Sequence, residues 1–355
     1  MTFEEARARF PVLERIAYLN AGTFGPLSRA TMDAVSAELS HDLTAGRSGK
    51  AYWDRAIELR AELSRLIAFL VGVDAEQIAL TASTTDGCNI VLAGLGLEPG
   101  DEIVTTTDEH FGLLGPLHAS GARVVVVDPE PEAILGAATL RTRLLALSHV
   151  LWTTGQILPV RELRERSGIP ILVDGAQSVG AIPVDARGLD FYTVSGQKWL
   201  CGPDSTGALV VADPEQLRVA RPSSFAQAQY EPDGLFEPRP GAQRFQPNWI
   251  PAASLAGLMA ALEELPEWRY ERAAAQAERL RAVLSDRVDV PSPEERATLV
   301  SFRPADGEDP AAVVERLAAV DVVVRDLPGR GLVRASVGWW TSDDDLDRLV
   351  EGVAG

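Results

Sequence analysis

Hydrophobic positions along the chain change period several times. From about Ala51 to Leu70, apolar residues fall at 56, 59, 63, 66, 67 and 70, the spacing of one helix face, and Gly72 ends the run. A shorter helix is predicted from just after Ser28, a suitable N-cap, to about Leu43. It follows a turn-rich lead-in, Tyr18–Leu27. Beyond Gly72, short apolar runs alternate with helical ones. Strands are predicted at Gln77–Thr81, Glu102–Thr106, Arg123–Val127, Leu144–Ser148, Pro170–Val173 (ending in Asp174), Phe191–Val194 and Ala208–Val211. Helices are predicted at Thr84–Leu95, Phe111–Ala119 and near Pro159–Arg166. This alternation predicts an α/β fold, with a mostly parallel sheet between helices and its ligand beyond the carboxyl ends of the strands.

The pattern then changes. Pro214 to Pro247 is rich in Pro, Gln and Gly and is read as an excursion loop. Helices are predicted at Pro251–Leu265 and Glu267–Arg287, a strand near Thr298–Phe302 and a helix at Pro310–Val320. Strands at Val322–Arg325 and Gly331–Val337 and a last helix at Ser342–Val353 complete an α+β texture. Two units are expected: a large α/β domain over 17–249, and a small domain made of 1–16 and 250–355.

Composition narrows the partners. A formal charge of −18 argues against nucleic acid and anionic membranes, so any bound anion must be held by local donors. Two cysteines, Cys88 and Cys201, form no CxxC, which fits a reducing cytoplasm. Met1–Phe10 has no signal-like apolar core, and no apolar run approaches a membrane span of about 18 residues. Four histidines show no zinc spacing, so no metal is expected. Neither GxxxxGK[ST] nor GxGxxG is present, which disfavours a nucleotide-dependent oxidoreductase.

Only two of the 33 basic residues are lysines, Lys50 and Lys198. Arginine stays protonated, whereas lysine becomes a nucleophile once its pKa is lowered. Lys198 follows the run Phe191–Val194 and a Ser-Gly break, so a strand carries its amine to the sheet edge; a plain surface lysine is the alternative. Thr81-Ala82-Ser83-Thr84-Thr85-Asp86-Gly87 opens a helix with hydroxyl residues, suited to a phosphate or to ordinary capping. His110, in Asp108-Glu109-His110-Phe111, could stack on an aromatic ring or be a satisfied loop histidine. Asp174 ends an apolar strand and needs a partner, which a protonated ring nitrogen or the next turn would supply. In Ser148–Gly155, His149 reads as structural, and Trp152 either packs or lines a pocket. Arg334 could clamp a carboxylate bidentately. Phosphate, aromatic ring, ring nitrogen and aldehyde together describe pyridoxal phosphate.

The segments Val173–Gly180 and Ser195–Gly207, in order and spacing, resemble the class V aminotransferase family of fold type I pyridoxal-phosphate enzymes. Cysteine desulfurases, selenocysteine lyase, isopenicillin-N-epimerase-like proteins and kynureninase belong to it. The resemblance runs from the Tyr18–Pro26 lead-in to the last helix. It implies that Lys198 forms the aldimine and moves the α-proton, that Asp174 pairs with the pyridinium nitrogen, and that Gln177 bonds the ring oxygen. It further implies that His110 stacks on the ring and that Thr84, Thr85, Ser195 and Gln197 hold the phosphate. Arg334 is implied to bind the substrate carboxylate, with Asn20 to Gly22 nearby. Family members are homodimers, and Gln243–Trp249 resembles the segment a neighbouring subunit lends to the phosphate. Its usual Gly-Thr is missing, which leaves Asn248 as the candidate.

Two departures stand out. No cysteine follows Cys201, against desulfurase chemistry through a persulfide, and Cys201 itself reads as structural. Trp152 stands where many relatives have Asn or Ser, leaving Gln177 or Thr153 to face the ring oxygen. Ser148–Gly155 and Lys198–Gly202 look most like the isopenicillin-N-epimerase-like branch, which includes C–S β-lyases and transaminases. The expected activity is α-proton abstraction from an amino acid by a C–S lyase or aminotransferase. Epimerisation, or non-catalytic binding of pyridoxal phosphate, is the alternative.

Overall fold

The computed structural model describes residues 1–354. Seven strands form the central sheet: β2 (Ile78–Thr81), β3 (Glu102–Thr106), β4 (Arg123–Val127), β5 (Thr142–Ser148), β6 (Ile171–Asp174), β7 (Phe191–Ser195) and β8 (Gly207–Val211), after a two-residue β1 (Ala17–Tyr18). Their order is β2-β8-β7-β6-β5-β3-β4. The run from β4 to β7 is parallel, and β8 lies antiparallel to both its neighbours. The mostly parallel α/β sheet therefore matches expectation, while the reversal of β8 had no signal in its composition.

Side chains alternate across the sheet, as strand geometry requires. Leu145, Leu147, Val173 and Tyr192 join a core with Leu59, Leu63 and Ile67 of α3 (Gly49–Val71). Their sequence neighbours Leu144, Ala146, Leu172 and Phe191 face the other way. They meet α4 (Thr84–Gly94) through Cys88 and Val91, and α5 (Phe111–Ala119) through Leu113 and Leu117. Both faces are thus covered, which is why the strands read as continuous apolar runs. Helix α2 (Arg29–Ala45) begins at the predicted cap, where the Ser28 hydroxyl accepts the Thr31 N–H at 3.1 Å. Two short helices, α1 (Phe3–Arg7) and α6 (Pro131–Gly136), were not expected. Helix α7 (Val160–Ser167) is the one foreseen near 159–166. The 214–247 excursion contains two 3₁₀ turns, Pro214–Gln216 and Gly241–Phe245.

Helix α8 (Ala252–Glu263) packs on α2 and α3 and sends Leu255 and Leu258 into the α3 core. The remaining elements build a second core. These are α9 (Arg269–Ser285), β9 (Leu299–Phe302), α10 (Pro310–Ala318), β10 (Val322–Val323), β11 (Arg325–Leu327), β12 (Leu332–Ser336) and α11 (Asp343–Ala354). β12 lies between β9 and β11, antiparallel to both. The strand expected at Val322–Arg325 is divided, because Val322 and Val323 pair with β1 while Arg325 begins β11. Ala17 and Leu19 are buried in this second core, and Asn20 bridges Ser336. The lead-in is therefore a structural part of the C-terminal elements. Among the described residues no helix is long and apolar enough to cross a membrane.

Candidate active site

The parallel strands end at one edge, where β3, β5, β6 and β7 deliver Thr106, Ser148, Asp174 and Ser195. Thr81 and Ser195 both pair with Gly207, so the start of α4 and the end of β7 lie in one transverse row. A Cβ on Gly207 would lie 2.6 Å from the Val194 carbonyl and 3.3 Å from the Ser83 Cα, so glycine brings the two loops together. Ser83 caps α4, its hydroxyl accepting the Asp86 N–H at 3.1 Å. Thr84 and Thr85 thus occupy the first turn, where backbone N–H groups have no helical partner. On the other side of the row, the Ser195 hydroxyl donates to Gln197 Oε1 at 3.0 Å.

Asp174 is 4% exposed. Its two bonds, from the Ala176 N–H at 2.9 Å and the Thr193 hydroxyl at 3.3 Å, both fall on Oδ1. Oδ2 has no donor among the described residues. A buried carboxylate with one free oxygen fits a ring N–H. Lys198 is partly buried, and desolvation brings its pKa down to about 8; Asp174 opposes that shift, while Arg334 and Arg325 add to it. Asp174 and Lys198 act on each other without forming an ion pair.

Gln177 links the lysine loop to the lead-in. Its Oε1 accepts from Trp199 Nε1, and its Nε2 donates to the Gly22 carbonyl, both at 2.9 Å. One N–H of that amide remains free for another acceptor. The lead-in is pressed close. A Cβ on Gly25 would lie 2.1 Å from the Lys198 carbonyl, and one on Gly22 would lie 2.7 Å from Arg334 Nη2. Asn20 Oδ1 accepts the Thr23 hydroxyl at 2.9 Å.

Arg334 is fully buried. Its Nη1 donates to the Trp152 carbonyl at 2.9 Å, but Nε and Nη2 have no partner, and neither does the nearby Ser336 hydroxyl. Arg325 stands directly opposite on β11, and no carboxylate pairs with either guanidinium among the described residues. Burial first, then Arg325, bring the Arg334 pKa down to about 9. A buried cation with unmet donors is costly unless an anion arrives.

His110 caps α5 and is exposed. Its Nδ1 accepts the Gly112 N–H at 3.0 Å, which leaves the ring proton on Nε2. Partial burial and Lys198 lower its pKa. The Trp152 ring stands edge-on to it, with centroids 5.2 Å apart at 82°. The Thr85 hydroxyl, in the first turn of α4, adjoins Gly112 in the first turn of α5. Asn248 is not brought in. It is exposed, and its carbonyl accepts from Arg60 of α3 at 3.0 Å, beside the exposed Trp53 and Trp249 and the buried Phe225 they pack on.

Two residues at this edge were not anticipated. Arg325 donates to the Thr23 hydroxyl at 3.3 Å and lies 6.0 Å from the Trp152 ring centre; as one arginine in thirty-one it gave no separate signal. Glu109 is 2% exposed and accepts from the Ser148 N–H, the Ser148 hydroxyl and the Thr106 hydroxyl. Burial pushes its pKa up to about 7. It lies beside His110, and a carboxylate within a predicted strand–helix loop would be expected to be solvated. Cys201 is buried, with its thiol pKa pushed well above the usual range by desolvation. No cluster of three or more His, Cys, Asp or Glu is arranged to hold a metal among the described residues.

The chain resembles known proteins over almost its full length. It is 28% identical to isopenicillin N epimerase of Streptomyces clavuligerus, across 99% of this chain and 97% of that protein. It is 34% identical to the cysteine desulfurase of Salmonella newport (strain SL254), across 60% of this chain and 59% of that one. A solved structure of the cystine C–S lyase C-DES with its product cysteine persulfide superposes with a TM-score of 0.91 at 28% identity, covering 97% of this chain and 99% of that one. Another C-DES structure, in which a glycine is covalently linked to the pyridoxal phosphate cofactor, gives a TM-score of 0.92 at 28% identity and covers 98% of each chain. The family model described as aminotransferase class-V matches residues 17–349. This chain belongs to the class-V aminotransferase family, enzymes of fold type I that work with pyridoxal phosphate.

Proposed function

We propose that this chain binds an amino acid by its carboxylate at Arg334, removes the α-proton with the Lys198 amine and completes a β-elimination that breaks a carbon–sulfur bond. The observation that carries this reading is Arg334: fully buried, opposite a second arginine, with two N–H groups unmet. A carboxylate satisfies that geometry bidentately. Arg325 supplies a second cation at the same mouth, which suits a substrate whose side chain also ends in an acid. Gly22 leaves the space that any side chain would close against Arg334 Nη2.

Pyridoxal phosphate, when bound, supplies an aldehyde and a ring that spreads negative charge from the substrate α-carbon. The chain's own groups then have separate tasks. Lys198, with its pKa near 8, is neutral often enough around that pH to attack a carbonyl and to accept a proton at Nζ. Asp174 offers its free Oδ2 to a ring N–H. The first turn of α4 (Thr84, Thr85), with Ser195 and Gln197 across the row, suits a phosphate. His110 and Trp152 wall the mouth, and Gln177 keeps one N–H for a ring oxygen.

The C–S lyase branch is favoured over a desulfurase because no cysteine follows Cys201, and Cys201 itself is buried and held as the thiol. Epimerisation is the second reading, favoured by the full-length similarity to isopenicillin N epimerase. The protein is further read as a cytoplasmic homodimer. Its free, buried cysteines suit a reducing compartment. Met32, Leu39 and Leu43 of α2, Trp53 and Ile57 of α3, and Trp249 expose apolar surface that a second copy would cover. Asn248 lies within that patch. A division into a large unit over 17–249 and a small one from 1–16 and 250–355 fits better with its bounds shifted, since α8 packs on α2 and α3 and Ala17 and Leu19 join the second core.

The test is solvent deuterium incorporation at the α-carbon across an amino-acid panel, with products identified by mass spectrometry. Pyruvate with a released sulfur product supports the lyase; an inverted, deuterated amino acid supports the epimerase. Absence of exchange with every amino acid overturns both.

A further inference from the structure

A second place in the molecule concentrates positive charge without an acid, in a cavity that Lys198 does not line. Arg60 projects from α3 beneath the 214–247 excursion and is 5% exposed. Its Nη1 donates to Gln246 Oε1 at 2.7 Å and its Nη2 to the Asn248 carbonyl at 3.0 Å. Its guanidinium lies 3.8 Å from the centre of the Phe225 ring. Every one of these partners is neutral. Arg239 lines the same cavity, with a buried Nε that has no partner. Among the described residues neither arginine forms an ion pair with a carboxylate. Other partly or fully buried arginines of this chain do: Arg164 with Asp190, Arg281 with Glu278 and Arg7 with Asp345.

We propose that the cavity between Arg60 and Arg239 is a binding site for one small oxyanion or carboxylate. The cavity measures about 150 Å³, and Ser64, Gln243 and Gln246 add polar lining. That is the share of about five liquid waters, room for a phosphate-sized anion and too little for a nucleotide. Two guanidiniums facing a desolvated space repel, and burial together with Arg239 brings the Arg60 pKa down to about 10. An anion between them reverses the sign of that interaction and satisfies Arg239 Nε. The surrounding field is unfavourable to anions, since the chain carries −18 overall, so affinity comes from these local donors. Gln246 marks the place where a carboxylate would have closed the site from within. It presents an amide there, which accepts from Arg60 without neutralising it.

The experiment uses the protein loaded with pyridoxal phosphate, so that the cofactor site is occupied. Thermal unfolding is followed while phosphate replaces chloride at constant ionic strength. The wild-type melting temperature is expected to rise with phosphate and saturate. Arg239→Gln is expected to weaken that response about tenfold, the loss of one charge-assisted hydrogen bond. Gln246→Glu sets a carboxylate against Arg60; it is expected to melt higher without phosphate and to lose the response, and it carries the test alone if Arg239→Gln fails to fold. A response no greater than that to chloride overturns the proposal. So does an equal response in wild type and both variants, which would assign it to Arg334 or the cofactor pocket. A response that varies with protein concentration also overturns it, because the counter-charge would then come from a second copy.

Discussion

The two edges of the central sheet treat buried charge in opposite ways. At the amino edge, Glu102 is nearly inaccessible and fully answered: Arg123, Arg141 and the Thr139 hydroxyl all donate to it, and its pKa is lowered, chiefly by Thr139 and Arg141. Asp190 at the start of β7 is answered likewise by Arg164 and the Ile171 N–H. At the carboxyl edge, Asp174 keeps a free oxygen, Lys198 has a depressed pKa and Glu109 is held toward its neutral form, while Arg334, on β12 of the separate three-stranded sheet, has two unmet donors. The strands of the central sheet therefore carry ion-paired carboxylates at one edge, and at the other a carboxylate and an amine that form no ion pair among the described residues. A buried group's partners, more than its burial, separate structural from chemical roles.

Four substitutions would break or sharpen this contrast. Lys198→Ala should lower turnover by at least about 10³-fold, since it removes the proposed nucleophile and proton carrier together, with the fold intact by circular dichroism. Activity near wild type would remove the carboxyl edge from the chemistry. Asp190→Ala, at the opposite edge, should cost about 3 kcal/mol in urea unfolding by stranding Arg164, while KM stays unchanged. Glu109→Gln tests the pH dependence. The carboxyl group of Glu109 has a folded pKa of about 7 against 4.5 unfolded, so the folded state holds the extra proton between those values. Its contribution is therefore fullest below 4.5 and is lost as pH rises through 7, up to about 3 kcal/mol. The stability difference between wild type and Glu109→Gln should change across that window and be flat above it. Arg334→Gln should raise KM about 30-fold, near 2 kcal/mol, yet leave stability level or improved because a desolvated cation is removed. A variant that unfolded instead would make Arg334 a structural residue.

Much of this could be read from the chain, for identifiable reasons. The strands of the parallel sheet are buried on both faces, so β6 appears as an apolar run that ends at Asp174, and β7 as a largely apolar, β-branched one that ends before Lys198. The α3 stripe and the Ser28 cap are local signals and were legible as such. What escaped depends on distant partners. β1 is two residues long and exists through β10, some three hundred positions away. The reversal of β8 follows from its neighbours, not its composition. Arg325 and Glu109 look ordinary until folding sets one opposite Arg334 and buries the other against Ser148.

The lead-in pairs with β10, bridges Ser336 and presses Gly22 against the Arg334 guanidinium. A ribosome releasing this chain has therefore made Lys198 and Asp174 long before it makes Arg334. For most of synthesis the first twenty-five residues have no strand to join. Until β10 and β12 emerge, the nascent chain holds Asp174 and Lys198 but has neither the strand its lead-in joins nor the Arg334 guanidinium that Gly22 meets.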